Sequence, residues 1–206
     1  MKTQLKALTA AMGLGLVLAS GSAMAESTYG YNATTPTTSN VTATAKLRIT
    51  VNIPKLILLR VGSDGATVDD VVFTAVPNVQ SAPGPLSIEG DSVAATWDGV
   101  APTFAATTPN NPVNAYLWHN ATGGATLSCA VSTPFTTGLT AADVTVSGTG
   151  TLTHPGTTTA CSTPTTPLAR NTLFTGVWTF GVNSAGMAAA AAGADFEVVT
   201  YTAVTL

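Results

Sequence analysis

From Val41 to Ile53 apolar and polar residues alternate without a miss. Val41, Ala43, Ala45, Leu47, Ile49, Val51 and Ile53 share one side of an extended chain; Thr42, Thr44, Lys46, Arg48, Thr50 and Asn52 share the other. A period of two predicts a β-strand with one dry face and one wet face. At about 3.3 Å per residue the run would extend roughly 43 Å, against about 17–20 Å for a usual strand. Such a segment either bends from one sheet to another or lies partly without a partner in its own fold. Pro54 interrupts the run, because proline has no N–H to give to a ladder. Lys55–Val61 is then a short apolar run apart from Lys55 and Arg60, the pattern of a strand buried on both faces.

Further strands are expected at Val68–Val76, Leu86–Glu89, Val93–Trp97, Val113–Trp118 and Ala125–Val131. Pro77 ends the first, and Pro102, Pro109 and Pro112 mark a loop before the fourth. Ala141–Thr153 reads as a hairpin around Gly148–Gly150. Leu173–Val182 is strongly strand-like, and Ala185–Gly193 allows one short helix or a close-packed loop. The last strand, Asp195–Leu206, is apolar on both sides, which suits a sheet interior or an interface. Many short strands with Gly and Pro between them predict an all-β fold, an antiparallel β-sandwich over residues 41–206.

Ahead of this domain, Met1–Ala25 has the form of a secretory signal peptide: Lys2 and Lys6, an apolar stretch, and Ala23-Met24-Ala25 as a cleavage site. Residues 26–40 are polar, Thr-rich and aperiodic, a flexible lead-in. No later stretch reaches the roughly 20 apolar residues of a membrane span. Charged residues make up 8% of the chain, and without Lys2 and Lys6 the formal charge moves from −3 to −5. No basic cluster remains, so nucleic acid is not an expected partner. The expected location is secreted: periplasm in transit, then the cell surface. Cys129 and Cys161 are the only cysteines, and an even pair in an exported chain predicts a disulfide.

Little in the sequence suggests chemistry. His119 and His154 lack a second ligand at metal-binding spacing. Asp64, Asp69 and Asp70 around Gly65 have a calcium-like composition without the EF-hand spacing. Asp91 and Asp98 beside Trp97 lack a visible cleft for glycoside hydrolysis. There is no nucleophile elbow and no phosphate loop. No catalytic residue, metal site or cofactor is expected, and the chain is read as a non-enzyme. Its tryptophans and tyrosines serve either the core or an exposed sugar-stacking platform.

The closing segment AGMAAAAAGADFEVVTYTAV resembles the end of chaperone–usher fimbrial subunits, where an Ala/Gly-rich loop leads into an alternating last strand with a Tyr near the terminus. Tyr201 matches that aromatic, and Phe196 and Val198 match its inward face. The secreted spore-coat U type of domain is similar in the same region. The resemblance implies an incomplete immunoglobulin-like sandwich whose N-terminal extension completes a neighbouring subunit. Val41, Ala43, Ala45, Leu47 and Ile49 would then be the plugs. Implied partners are copies of the chain itself, a periplasmic chaperone and an outer-membrane usher. The implied function is a structural subunit of a fimbria or surface coat. The alternative is a secreted adhesin or carbohydrate-binding module with a complete sandwich.

Overall fold

A computed structural model describes residues 26–33, 40–79, 86, 89–107 and 112–206. The signal-peptide segment and part of the lead-in and of the Leu86–Glu89 strand fall outside them. The chain divides into two compact units, Met1–Ile53 and Pro54–Leu206. In the first, residues 26–33 and 40–53 belong to no strand or helix. Thr28 Oγ1 donates to Thr44 O at 2.7 Å within it.

The second unit is all-β with one short helix: β1 (Ile57–Val61), β2 (Thr74–Asn78), β3 (Thr103–Thr107), β4 (Val113–His119), β5 (Ala125–Thr133), β6 (Val144–Gly150), β7 (Phe174–Val182), α1 (Ser184–Ala189) and β8 (Val198–Thr205). Every strand pair is antiparallel. The sheets are β1-β4-β7-β6, β5-β8 and β2-β3. The first two pack face to face. Their shared core holds Ala115, Leu117, Leu127, Val146, Leu152, Leu168 and Trp178.

Several elements differ from the sequence expectation. The continuous apolar run before Val61 forms an edge strand, with Leu58, Leu59 and Arg60 exposed, instead of a strand buried on both faces. β2 carries Pro77 inside it, which a two-stranded edge ribbon tolerates. Val93–Trp97 is not a strand, whereas Thr103–Thr107, in the expected loop, is one. The expected hairpin at Ala141–Thr153 is the single strand β6. Its Gly148, opposite Trp178 of β7, and Gly176 of β7 make room for that indole: a Cβ at Gly148 would lie 3.0 Å from it, and one at Gly176 would collide with Leu152 O. Trp178 Nε1 donates to that carbonyl at 3.0 Å. Close backbone approach, not a turn, is what these glycines serve.

Candidate subunit interface

Two packed sheets present four edges, and the chain covers two of them. The segment after β6 runs along that strand's outer edge, with Val146 N donating to Thr157 O (2.8 Å) and Thr159 N to Val144 O (3.0 Å). It then crosses to β5, where Thr165 N donates to Leu127 O (2.9 Å) and Leu168 N to Ala125 O (2.7 Å). Midway, Cys161 is joined to Cys129 of β5 by the expected disulfide, with Cα atoms 5.3 Å apart. Residues 157–168 therefore seal one side of the sandwich and satisfy the open backbone groups there.

The other side has no such cover. β1 is the edge of one sheet and β8 the edge of the other. They come within 8 Å of each other between Cα atoms, and no backbone hydrogen bond joins them among the described residues. Side-chain burial reports the same gap. Register with buried Ala115, Leu117 and His119 puts Val61, Leu59 and Ile57 on the core-facing side of β1. Register with buried Ala125 and Leu127 does the same for Thr205 and Ala203 of β8, and for Tyr201 and Val199 further along. Yet no residue of β1 or β8 is fully buried, whereas β4, β5, β6 and β7 each contribute buried side chains. Leu59 keeps 36% of its surface in contact with solvent although it sits opposite fully buried Leu117.

On β8, Tyr201 is packed against the core. Its hydroxyl lies 2.9 Å from His154 Nε2, and its ring packs against Trp178 at a centroid distance of 5.2 Å. His154 Nδ1 lies 2.9 Å from Gly156 O. A carbonyl only accepts, so Nδ1 carries the proton; burial lowers the His154 pKa and keeps the ring neutral. Nε2 is then an acceptor and Tyr201 donates to it. Burial, helped by the charge of Glu197, pushes the Tyr201 phenol well above its ordinary range.

Glu197 lies two residues before Val199 on the same side of the chain. Its Oε1 meets Thr159 Oγ1, and its buried Oε2 has no hydrogen-bond partner. Thr159 Oγ1 also bonds Ala141 O at 3.0 Å. One hydroxyl hydrogen cannot serve both. Thr159 therefore donates to one of these two oxygens at a time, and burial raises the Glu197 pKa.

The expected interface residues fall into two groups. Val41, Ala43, Ala45, Leu47 and Ile49 lie in the first unit, exposed and outside any strand. Leu47, Ile49, Val51 and Ile53 are between 66% and 79% exposed. In the second unit the inward face of β8 carries Tyr201, Ala203 and Val199, not the expected Phe196 and Val198. Val198 has the opposite parity, and Phe196 precedes the strand and is 67% exposed.

Other candidate residues have structural tasks. The Asp69 carboxylate takes both the N–H and the hydroxyl of Ser63, which lowers its pKa and holds the Gly62–Gly65 turn. Asp64, Asp69 and Asp70 line an open cavity of about 470 Å³ with Arg60 and Asn114. Among the described residues no three His, Cys, Asp or Glu side chains are grouped to hold a metal. His119 is fully buried, its Nε2 3.1 Å from Leu168 O and its Nδ1 accepting from Ala121 N at 3.2 Å. Trp97 is 64% exposed in the β2–β3 connection and donates to Val100 O. The half-buried ring of His154 packs edge-on against Trp178, a placement no motif in the sequence announces.

No family model, curated protein or solved structure matches the chain.

Proposed function

We propose that the chain is a structural, non-enzymatic subunit of an extracellular fimbria or surface coat that assembles by strand addition between copies. The observation that carries this reading is the pairing of a one-sided gap with a spare strand. The seam between β1 and β8 leaves two strand edges unpaired and the core-facing Leu59 partly exposed. Val41–Ile53 has the apolar alternation to fill such a seam and no strand partner of its own among the described residues. Val41, Ala43, Ala45, Leu47 and Ile49 enter the core of the next copy, between Leu59 on one wall and Tyr201 on the other. Main-chain hydrogen bonds along β1 and β8 supply affinity, and alternate side chains set the register.

Adjacent strands sit about 4.8 Å apart. Where β1 and β8 approach within 8 Å, the entering strand separates them to about 9.6 Å. Each contact is heterologous, so repetition gives an open filament. The fold is then an immunoglobulin-like sandwich short of one strand. The chain is exported to the periplasm and covered there by a chaperone before an outer-membrane usher passes it to the surface. A secreted carbohydrate-binding module, the competing reading, draws on exposed Trp97 alone.

The test is the size distribution of the protein expressed from Glu26, with and without residues 26–50. Polymers that disappear on deletion while the β-fold persists support strand addition. Identical distributions for the two proteins contradict it.

A further inference from the structure

The extension meets β1 through Pro54, Lys55 and Leu56 only. Three residues are enough to close a β-hairpin. A fold-back there would set Ile53 opposite Ile57, Val51 opposite Leu59 and Ile49 opposite Val61. Those three β1 residues are the core-facing ones. The parity is therefore right for each copy to plug its own seam. A tethered strand competes at an effective concentration of order millimolar, a roughly thousand-fold advantage over a neighbour present at micromolar concentration. A chain built to join copies needs a device against this fold-back.

Asn120, at the end of β4, bonds the junction directly. Its Nδ2 donates to Pro54 O at 2.8 Å, and its Oδ1 accepts from Leu56 N at 2.8 Å. Its own N–H donates to Leu56 O at 3.2 Å. These bonds continue the β1–β4 ladder beyond Ile57↔His119. They hold the Pro54 carbonyl toward β4, whereas a hairpin would carry it across to the seam side of β1. The ladder bond reaches only Leu56 O; the side-chain amide is what takes Leu56 N and Pro54 O.

We propose that Asn120 is a positioning residue whose side-chain amide keeps Pro54–Leu56 extended, so that Val41–Ile53 is offered to a second copy of the chain instead of closing its own subunit. This rests on the strand-addition reading above. Each net hydrogen bond is worth about five-fold in an equilibrium. Asn120→Ala removes two and raises the ratio of self-closed to open subunit roughly 25-fold; Asn120→Asp, which keeps the acceptor for Leu56 N, raises it about five-fold.

The experiment compares these variants with wild type, all from Glu26, by hydrogen exchange on the monomeric fraction and by the protein concentration needed to polymerise. Amides of residues 42–52 gain protection in Asn120→Ala, and less in Asn120→Asp, while the polymerisation threshold rises in the same order. Simple destabilisation would lower Tm without protecting 42–52. Unchanged exchange of these amides in Asn120→Ala overturns the proposal, whatever the polymers do. Deletion of residues 26–50 leaving the assembly unaltered sinks the strand-addition reading separately.

Discussion

Replacing Tyr201 by Phe removes one oxygen and leaves the ring that packs 5.2 Å from Trp178 and 5.5 Å from His154. The lost group is the donor to His154 Nε2 at 2.9 Å. A net hydrogen bond is worth about 0.5–1.5 kcal/mol, and a buried acceptor left without a partner costs about 1–3 kcal/mol. His154 is half-buried and its Nδ1–H is committed to Gly156 O, so the ring has no second tautomer that would relieve the loss. The expected destabilisation is therefore about 1–3 kcal/mol, with Tm falling about 2–4 °C for each kcal/mol in a chain of this size. Urea unfolding at pH 7.5 measures the difference. Tyr116→Phe, on the outward face beneath Arg60, is the control, expected within about 0.5 kcal/mol of wild type. Nitrogen-15 shifts of His154 report the tautomer. A Tyr201→Phe protein within about 0.3 kcal/mol of wild type, or a ring protonated on Nε2, means that Tyr201 does not anchor His154.

Replacing Cys129 and Cys161 together by Ser opens a loop with a sequence separation of 32 and costs about 3–4 kcal/mol by the chain-entropy estimate, read from urea unfolding beside the oxidised protein. Gly176→Ala drives a methyl into Leu152 O and the Trp178 indole and costs about 1–3 kcal/mol, measured in the same way. Glu197 and His154 give pH effects of opposite sign. The raised Glu197 pKa means stability present below the unfolded value of 4.5 and lost as pH rises through the folded one, so Glu197→Gln gains on wild type as pH rises above 4.5. The lowered His154 pKa means stability complete above the unfolded value of 6.5 and lost as pH falls below it; His154→Phe flattens the Tm profile there.

Much of the β-structure is written in local patterns. Val113–His119 and Phe174–Val182 carry enough β-branched and aromatic residues, with alternating burial, for their strands to be read directly. The strand β1 was harder, because a continuous apolar run normally means two covered faces. Its outward Leu58 is instead exposed, and only pairing tells an edge from a centre. The segment Thr103–Thr107 is flanked by Pro102 and the Pro109–Pro112 stretch, so its short alternation was outvoted by breakers. Gly148 reads as a turn because its real reason, the Trp178 indole, lies on another strand.

The candidate interface was half legible for the same cause. The alternation of Val41–Ile53 is local, so its plugs could be named. The seam it would fill arises from which edges residues 157–168 cover and which they leave, and that is a property of the fold. The inward parity of β8 is likewise set by the register of Tyr201 with Cys129 across from it. The pairs His154–Tyr201 and Thr159–Glu197 join residues far apart in the chain, with no motif to announce them.

The most direct test supplies the missing strand in isolation. A peptide spanning Val41–Ile53 is added to the protein expressed from Glu26 carrying Ile49→Asp and Val51→Asp, which disables its own plug while leaving exposed positions otherwise intact. Amide exchange is followed on β1 and β8. Strand addition requires one peptide bound per subunit, a raised Tm, and new protection confined to those two edges, with none for a peptide in which neighbouring residues are swapped to reverse its parity. A folded subunit that leaves β1 and β8 unprotected at saturating peptide would contradict it.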